Sequence, residues 1–426
     1  MDGMTESAKV WNLCMEMHRE SRGRKLGTAL VGDESRWPGT REFHMATKGK
    51  FALHSQSVQQ VFRALYGAVM MTSTKRSNGD MTAQYPNKPK RLYPLMWTAQ
   101  AVCVEKGKRD RLVLPMGRGR PSLKLKVRGL PDEVGAVRIV WNNGLELRVQ
   151  TEAEVREAPT GRDGVRACVD LGEIHLASVA TNEGDALVVS GRAIRSQKRL
   201  RNKALGEIAK LQSRCVRGSR RWKKLQRAKR KLLGHTERRI RDLRHKATHA
   251  VVAFCAEHDV RTVFVGNPDG VRRNPKGKRF NQKLAQWEYG KDKQYLQEKC
   301  KRAGLESTPF RYAPLRDASF GFTFTPRCFT GSERYTSSLS PPLRFEDASR
   351  CPKCGCRHRP TGRRWICPEC GFSGHRDIVG AVNMHALTFG ERVEFPETGR
   401  TTYLRPARES RRMAKRHACV TTGGKQ

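Results

Sequence analysis

The run Cys351-Pro352-Lys353-Cys354-Gly355 is answered twelve residues on by Cys367-Pro368-Glu369-Cys370-Gly371, and Gly374-His375-Arg376-Asp377 follows almost at once. Two Cys-x-x-Cys knuckles at that separation form the ligand pattern of a closed zinc site, because four thiolates complete a tetrahedron and leave no position open. The glycine after each knuckle lets the backbone turn so that amide groups face the sulfurs. A structural zinc ion held by Cys351, Cys354, Cys367 and Cys370 is therefore expected, with Cys356 a bystander. Asp377 opens a segment carrying Ile378, Ala381, Val382 and Asn383, which reads as a helix. By itself Asp377 could be no more than the cap of that helix.

Upstream, Val165 to Asp170 has the β-branched character of a strand, and Leu171-Gly172 turns it into a second one. A carboxylate at a strand end, before a glycine turn and an antiparallel partner, is how RNase-H-type folds present a first metal ligand. Alone, such an aspartate is as well explained as a turn former. A long basic helical stretch follows from Arg195 to about His258, broken near Gly218-Ser219. Between 195 and 246 about twenty lysines and arginines stand against three acids, more than a solvated helix needs, which points to a phosphate backbone. Trp222 within it can pack in a core or stack on a base. Thr262-Val263-Phe264-Val265 is another short strand, 281–303 reads as helical, and 308–349 shows no period at all.

The first hundred or so residues read as mainly helical, with Val58, Val61, Phe62, Leu65 and Val69 on one helix face. From Leu112 to Val149 the period falls to two, and Asn142-Asn143-Gly144 supplies a hairpin turn, so a small β-barrel or sandwich is expected. Residues 151–164 look like a linker. The resulting division is 1–160, 161–345 with a basic arm at 195–258, a ribbon at 346–373, a returning segment at 374–406 and a basic tail at 407–426 expected to be disordered.

Charge sets the partner class. The chain of 426 residues has 84 Lys plus Arg against 41 Asp plus Glu, a formal +43 that a polyanion must neutralise. No apolar run is long enough to span a membrane, and the first residues lack a signal-peptide pattern, so a cytoplasmic, nucleoid-associated protein with no membrane partner is expected. The 13 cysteines, four of them in knuckles, fit metal binding better than disulfides.

Taken together, Val169-Asp170-Leu171-Gly172, the paired knuckles and His375-Arg376-Asp377 through Asn383 resemble the TnpB family. These are transposon-associated, RNA-guided nucleases of the RuvC type, related to compact type V CRISPR effectors. The resemblance extends to the tail motif Tyr403-Leu404-Arg405-Pro406. It implies an α/β RNase-H-like nuclease domain with inserted basic helices and a zinc ribbon, preceded by a wedge β-barrel with a helical recognition lobe. It also implies a guide RNA from the same locus, double-stranded target DNA, and magnesium or manganese ions at Asp170 and Asp377.

One position departs from the family pattern. The family's second carboxylate, a glutamate, follows the strand that here ends at Val265, and this chain has Gly266 there, then Asn267 and Pro268. Either another carboxylate replaces it, with Glu333 the first candidate and Asp269 the second, or the protein binds DNA under RNA guidance without cutting it. The first alternative is the primary reading: an endonuclease with Asp170, Glu333 and Asp377 as its catalytic set. An unguided zinc-ribbon nucleic-acid-binding protein is the remaining possibility. Oligomeric state is not legible in the sequence.

Overall fold

The computed structural model describes residues 2–27, 37–107, 110–117, 119–131, 133–152, 164–266, 277, 281–282, 285–309, 349–358, 360, 362–390, 392–397 and 399–406. Glu333, Asp269, most of the aperiodic 308–349 stretch and the tail after 406 lie outside them. The chain divides into two units, Met1–Ala153 and Glu154–Gln426. No described helix is long and apolar enough to cross a membrane.

Among its described residues the first unit combines three α-helices, α1 (Asp2–Gly27), α2 (Thr40–Thr47) and α3 (Ser55–Ser77), with six short strands. The stripe Val58, Val61, Phe62, Leu65 and Val69 is buried on α3, as its helical spacing requires. Strands β1 (Leu95–Trp97), β5 (Val137–Trp141) and β6 (Leu145–Val149) form one antiparallel sheet, and β2 (Cys103–Glu105), β3 (Arg111–Leu114) and β4 (Leu123–Lys126) another. Strand structure thus begins at Leu95, earlier than the alternation alone shows, because a three-residue strand is too short to display a period. The β residues make two three-stranded sheets among the described residues, and strands of both contribute to one hydrophobic core. The β5–β6 hairpin turns at Asn143, whose φ of 52° lies in the left-handed region that asparagine tolerates.

The second unit is built on a six-stranded mixed sheet in the order β11-β10-β7-β8-β9-β14. Its strands are β7 (Arg166–Leu171), β8 (His175–Thr181), β9 (Ala186–Ser190), β10 (Thr262–Val265), β11 (Glu306–Pro309) and β14 (Thr401–Leu404). β7, β8 and β9 run antiparallel, β10 is parallel to β7 and to β11, and β14 is parallel to β9. The central strands are hydrophobic on both faces, so both must be covered. One face, including Ala167, Val169, Val179, Val263 and Val265, packs on α5 (Arg220–Glu257) and α6 (Tyr289–Arg302). The other face packs on α7 (Arg376–Phe389): Ala180, Ala186 and Val188 meet Ile378, Ala381 and Val382, while Cys168 and Phe264 meet Met384. The basic stretch is two helices, α4 (Arg192–Ser213) and α5, and Ser219 caps α5 by accepting a hydrogen bond from the Trp222 amide at 3.2 Å. The described residues are helical at 281–282 and 285–286, as the reading from 281 expects, and after a break at Trp287-Glu288 α6 runs from Tyr289. A buried pair, Arg244 Nη1 to Asp292 Oδ1 at 2.8 Å, ties α5 to α6.

Candidate active site and zinc ribbon

The period of β7 decides where Asp170 points. Ala167, Val169 and Leu171 belong to the α5 side, so Cys168 and Asp170 share the α7 side. The parallel register pairs Val265 with Val169, and the Gly266 amide donates to the Val169 carbonyl at 2.8 Å. Gly266 therefore stands beside Asp170 on the neighbouring strand, about 5 Å away by strand spacing. A Cβ built on Gly266 would meet Met384 Cε at 3.0 Å and Sδ at 3.4 Å. Met384 of α7 thus packs into the space a longer side chain at 266 would enter.

Asp377 sits in the first turn of α7, and His375 caps that helix by accepting from the Asp377 amide through Nδ1 at 3.3 Å. Its carboxylate is clasped from two sides. His175 Nδ1 lies 2.5 Å from Asp377 Oδ2, and Arg363 Nη1 donates to the same oxygen at 2.7 Å. A carboxylate only accepts, so the His175 proton is on Nδ1. Burial would raise the Asp377 pKa, but the His175 hydrogen bond and the charges of Arg363 and the two histidines outweigh it and hold the carboxyl below its ordinary value. Burial pushes the His375 imidazole the other way, down, although Asp377 opposes this.

The structure brings Asp377 together with His175 and His375, one ligand atom from each lying within 4.8 Å of the others. Among the described residues, no set of three or more potential metal ligands includes Asp170. The donor set thus differs from three carboxylates around two divalent ions: Gly266 has no donor, and Asp377 already faces a guanidinium. Magnesium, a hard cation that seeks oxygen ligands, does not fit an aspartate neutralised by arginine and flanked by imidazoles. The partners of Asp377 were not legible in sequence. Arg363 and His175 lie 14 and 202 positions away from it, and no spacing rule connects them.

The ribbon fits its metal well. The four cysteine sulfurs lie within 4.8 Å of one another, with Cys351 and Cys370 at 3.6 Å and Cys354 and Cys367 at 3.5 Å. A tetrahedral zinc–thiolate site needs edges of about 3.8 Å, given bonds near 2.3 Å. Burial opposes the Cys367 thiolate, but the amides of Cys370 and Glu369 and the neighbouring thiols draw that cysteine down to about 6. The Cys356 amide favours the Cys354 thiolate, yet burial and the adjacent sulfurs push it up to about 12. A proton shared between crowded sulfurs is what a divalent cation displaces. Strands β12 (Arg364–Ile366) and β13 (Ser373–His375) pair antiparallel beside the knuckles, over the buried Trp365.

These features meet known proteins at several points. Residues 147–272 match the OrfB_IS605 family, described as a probable transposase, and 345–384 match the Cas12f1-like TNB domain. A TnpB-like protein of Methanocaldococcus jannaschii is 22% identical over 220 residues, covering 51% of this chain. Over these stretches the chain is similar to the TnpB family. It spans 66% of the length of that archaeal TnpB-like relative. The protein chain in a cryo-EM structure of a Cas12f1–sgRNA–target DNA complex superposes with a TM-score of 0.54 at 11% identity, covering 90% of this chain and 81% of the other. The fold is therefore TnpB/Cas12f-like.

Proposed function

We propose that this chain is an RNA-guided DNA-binding protein of the TnpB kind whose RuvC-type centre does not cut. The observation that carries this reading is Gly266 beside Asp170, with Met384 packed against it where the family pattern has a glutamate. Two-metal hydrolysis needs carboxylates that bridge and flank both ions, one to ready water and the other to steady the leaving oxygen. With the strand position empty of oxygen and Asp377 held by Arg363, neither ion has a full set among the described residues.

Binding needs none of this. The order β9-β8-β7-β10-β11, three antiparallel strands followed by two parallel ones, supports an RNase-H-like core as the platform. α4 and α5 present the basic residues of 195–246, which would hold the backbones of a guide–target duplex while base pairing supplies sequence choice. Trp222 stays partly exposed at the start of α5, with Lys223, Arg227 and Arg230 lining the same cleft, a suitable platform for an unpaired base. The Cas12f1 structure, captured with sgRNA and target DNA, is the model for these partners. Zinc would hold the ribbon and so the loop that carries Arg363.

The test is to purify the protein with RNA from its own locus, then measure guided binding and magnesium-dependent cleavage of matched double-stranded DNA. Guide-dependent binding without a cut is expected. A magnesium-dependent cut that disappears in both Asp170→Ala and Glu333→Ala would overturn the reading in favour of an endonuclease with a relocated glutamate.

A further inference from the structure

The tail motif Tyr403-Leu404-Arg405-Pro406 has no role in the reading above, yet it lines a cavity beside the Asp377 cluster. β14 runs along β9, and between them, α4 and the ribbon lies a space of about 240 Å³. Its lining includes Arg192, Arg363, Arg405, His175, His375 and Tyr403. Arginines from three different segments line this one small cavity. Only Arg363 is matched by a carboxylate, Asp377; Arg192 and Arg405 have no acidic partner among the described residues.

We propose that this cavity binds the terminal phosphate monoester of a nucleic-acid strand. The two unmatched arginines leave a local charge near +2, which complements a monoester of about −1.5 to −2 better than a diester of −1. Guanidinium forks suit phosphate oxygens, and charge-assisted hydrogen bonds of this kind are strong. His375 adds a donor. Its Nδ1 is occupied in accepting from the Asp377 amide, so in the neutral ring the proton is on Nε2. Arg192 is also the first residue of α4, a 22-residue helix whose N-terminal dipole favours an anion at the same rim. Tyr403, 59% exposed and edge-on to His375 at 5.8 Å, offers a ring face to the nucleoside next to the phosphate. The volume admits a phosphate and part of its sugar but no duplex, so the occupant is a strand end. The idea rests on the nucleic-acid reading only for the nature of the strand.

The experiment uses full-length protein and a short single-stranded oligonucleotide labelled at its 3′ end, bearing a 5′-phosphate, its methyl ester or a 5′-hydroxyl. Anisotropy is read at salt high enough to suppress general backbone binding. The free 5′-phosphate is expected to bind about tenfold tighter than the hydroxyl form, with the ester close to the hydroxyl. In Arg192→Gln/Arg405→Gln the three affinities should converge on the hydroxyl value, with the melting temperature unchanged. Equal binding of phosphate and hydroxyl by the unaltered protein, or a preference that survives in the double variant, would overturn the proposal. An ester that binds as tightly as the monoester would also overturn it, since the cavity would then take internal diesters. Guided duplex binding, measured alongside, is independent. Its absence with the phosphate preference intact removes the function proposed above and leaves this one, and the reverse result does the opposite.

Discussion

Restoring the absent carboxylate tests the geometry around Asp170 directly, through the series Gly266→Ala, Gly266→Gln and Gly266→Glu. Gly266 is not among the glycines held at positive φ, so the backbone accepts a side chain. The steric cost comes from the contact that a new Cβ makes with Met384 Cε at 3.0 Å and the Val169 carbonyl at 3.3 Å. The methionine tip is flexible, and moving it off its rotamer costs about 1 kcal/mol. Alanine and glutamine should share this cost. Glutamate adds a second carboxylate near Asp170. At a separation of about 5 Å and an effective dielectric constant of about 20, the repulsion is roughly 3 kcal/mol. At about 2–4 °C per kcal/mol for a domain of this size, Gly266→Glu should melt some 6–12 °C below Gly266→Gln in EDTA. A divalent cation bridging the pair relieves that repulsion, so magnesium should recover much of the gap in Gly266→Glu and little in the glutamine variant. The assay is differential scanning fluorimetry with EDTA or magnesium. If Gly266→Glu and Gly266→Gln melt together in EDTA and neither responds to magnesium, residue 266 does not neighbour Asp170 and the reasoning fails.

Other outcomes follow from the same structure. Cys354→Ser and Cys367→Ser should each release zinc, read as loss of about one metal equivalent per chain by mass spectrometry, and destabilise the ribbon; full retention of zinc in both would refute the four-cysteine site. Arg244→Met leaves Asp292, which is fully buried, without its 2.8 Å partner, and should cost about 3–5 kcal/mol in urea unfolding. Adding Asp292→Leu should return most of that loss, and a cost that stays the same in the double variant would argue against the pair. The Asp377 carboxyl lies below its ordinary 3.8, so it contributes stability that is present above that pH and lost as pH falls through the lower folded value. Asp377→Asn should therefore flatten the acid limb of the stability curve below about pH 4, and an unchanged limb would show that His175 and Arg363 do not stabilise the charged form.

The local pattern of this chain was legible wherever one short-range rule sufficed. The α3 stripe, the Asn143 turn, the β7–β8 hairpin, the break before Ser219 and the helix after His375 all follow from periods and turn residues that act within a few positions. The four zinc-type cysteines were legible for the same reason, since each pair of ligands sits on one knuckle. The site around Asp377 was not. Arg363 and His175 reach it only because the ribbon and β8 fold against the start of α7, and nothing in their spacing encodes that approach. The glycine at 266 was visible in sequence as a departure, but what fills its place was not: Met384 comes from a helix more than a hundred residues away. Sequence by itself determined the elements, the charge and the metal-type knuckles, because those depend on neighbours along the chain. Only the tertiary structure decided which carboxylates meet a cation already supplied by the protein, because that depends on which strands and helices pack face to face.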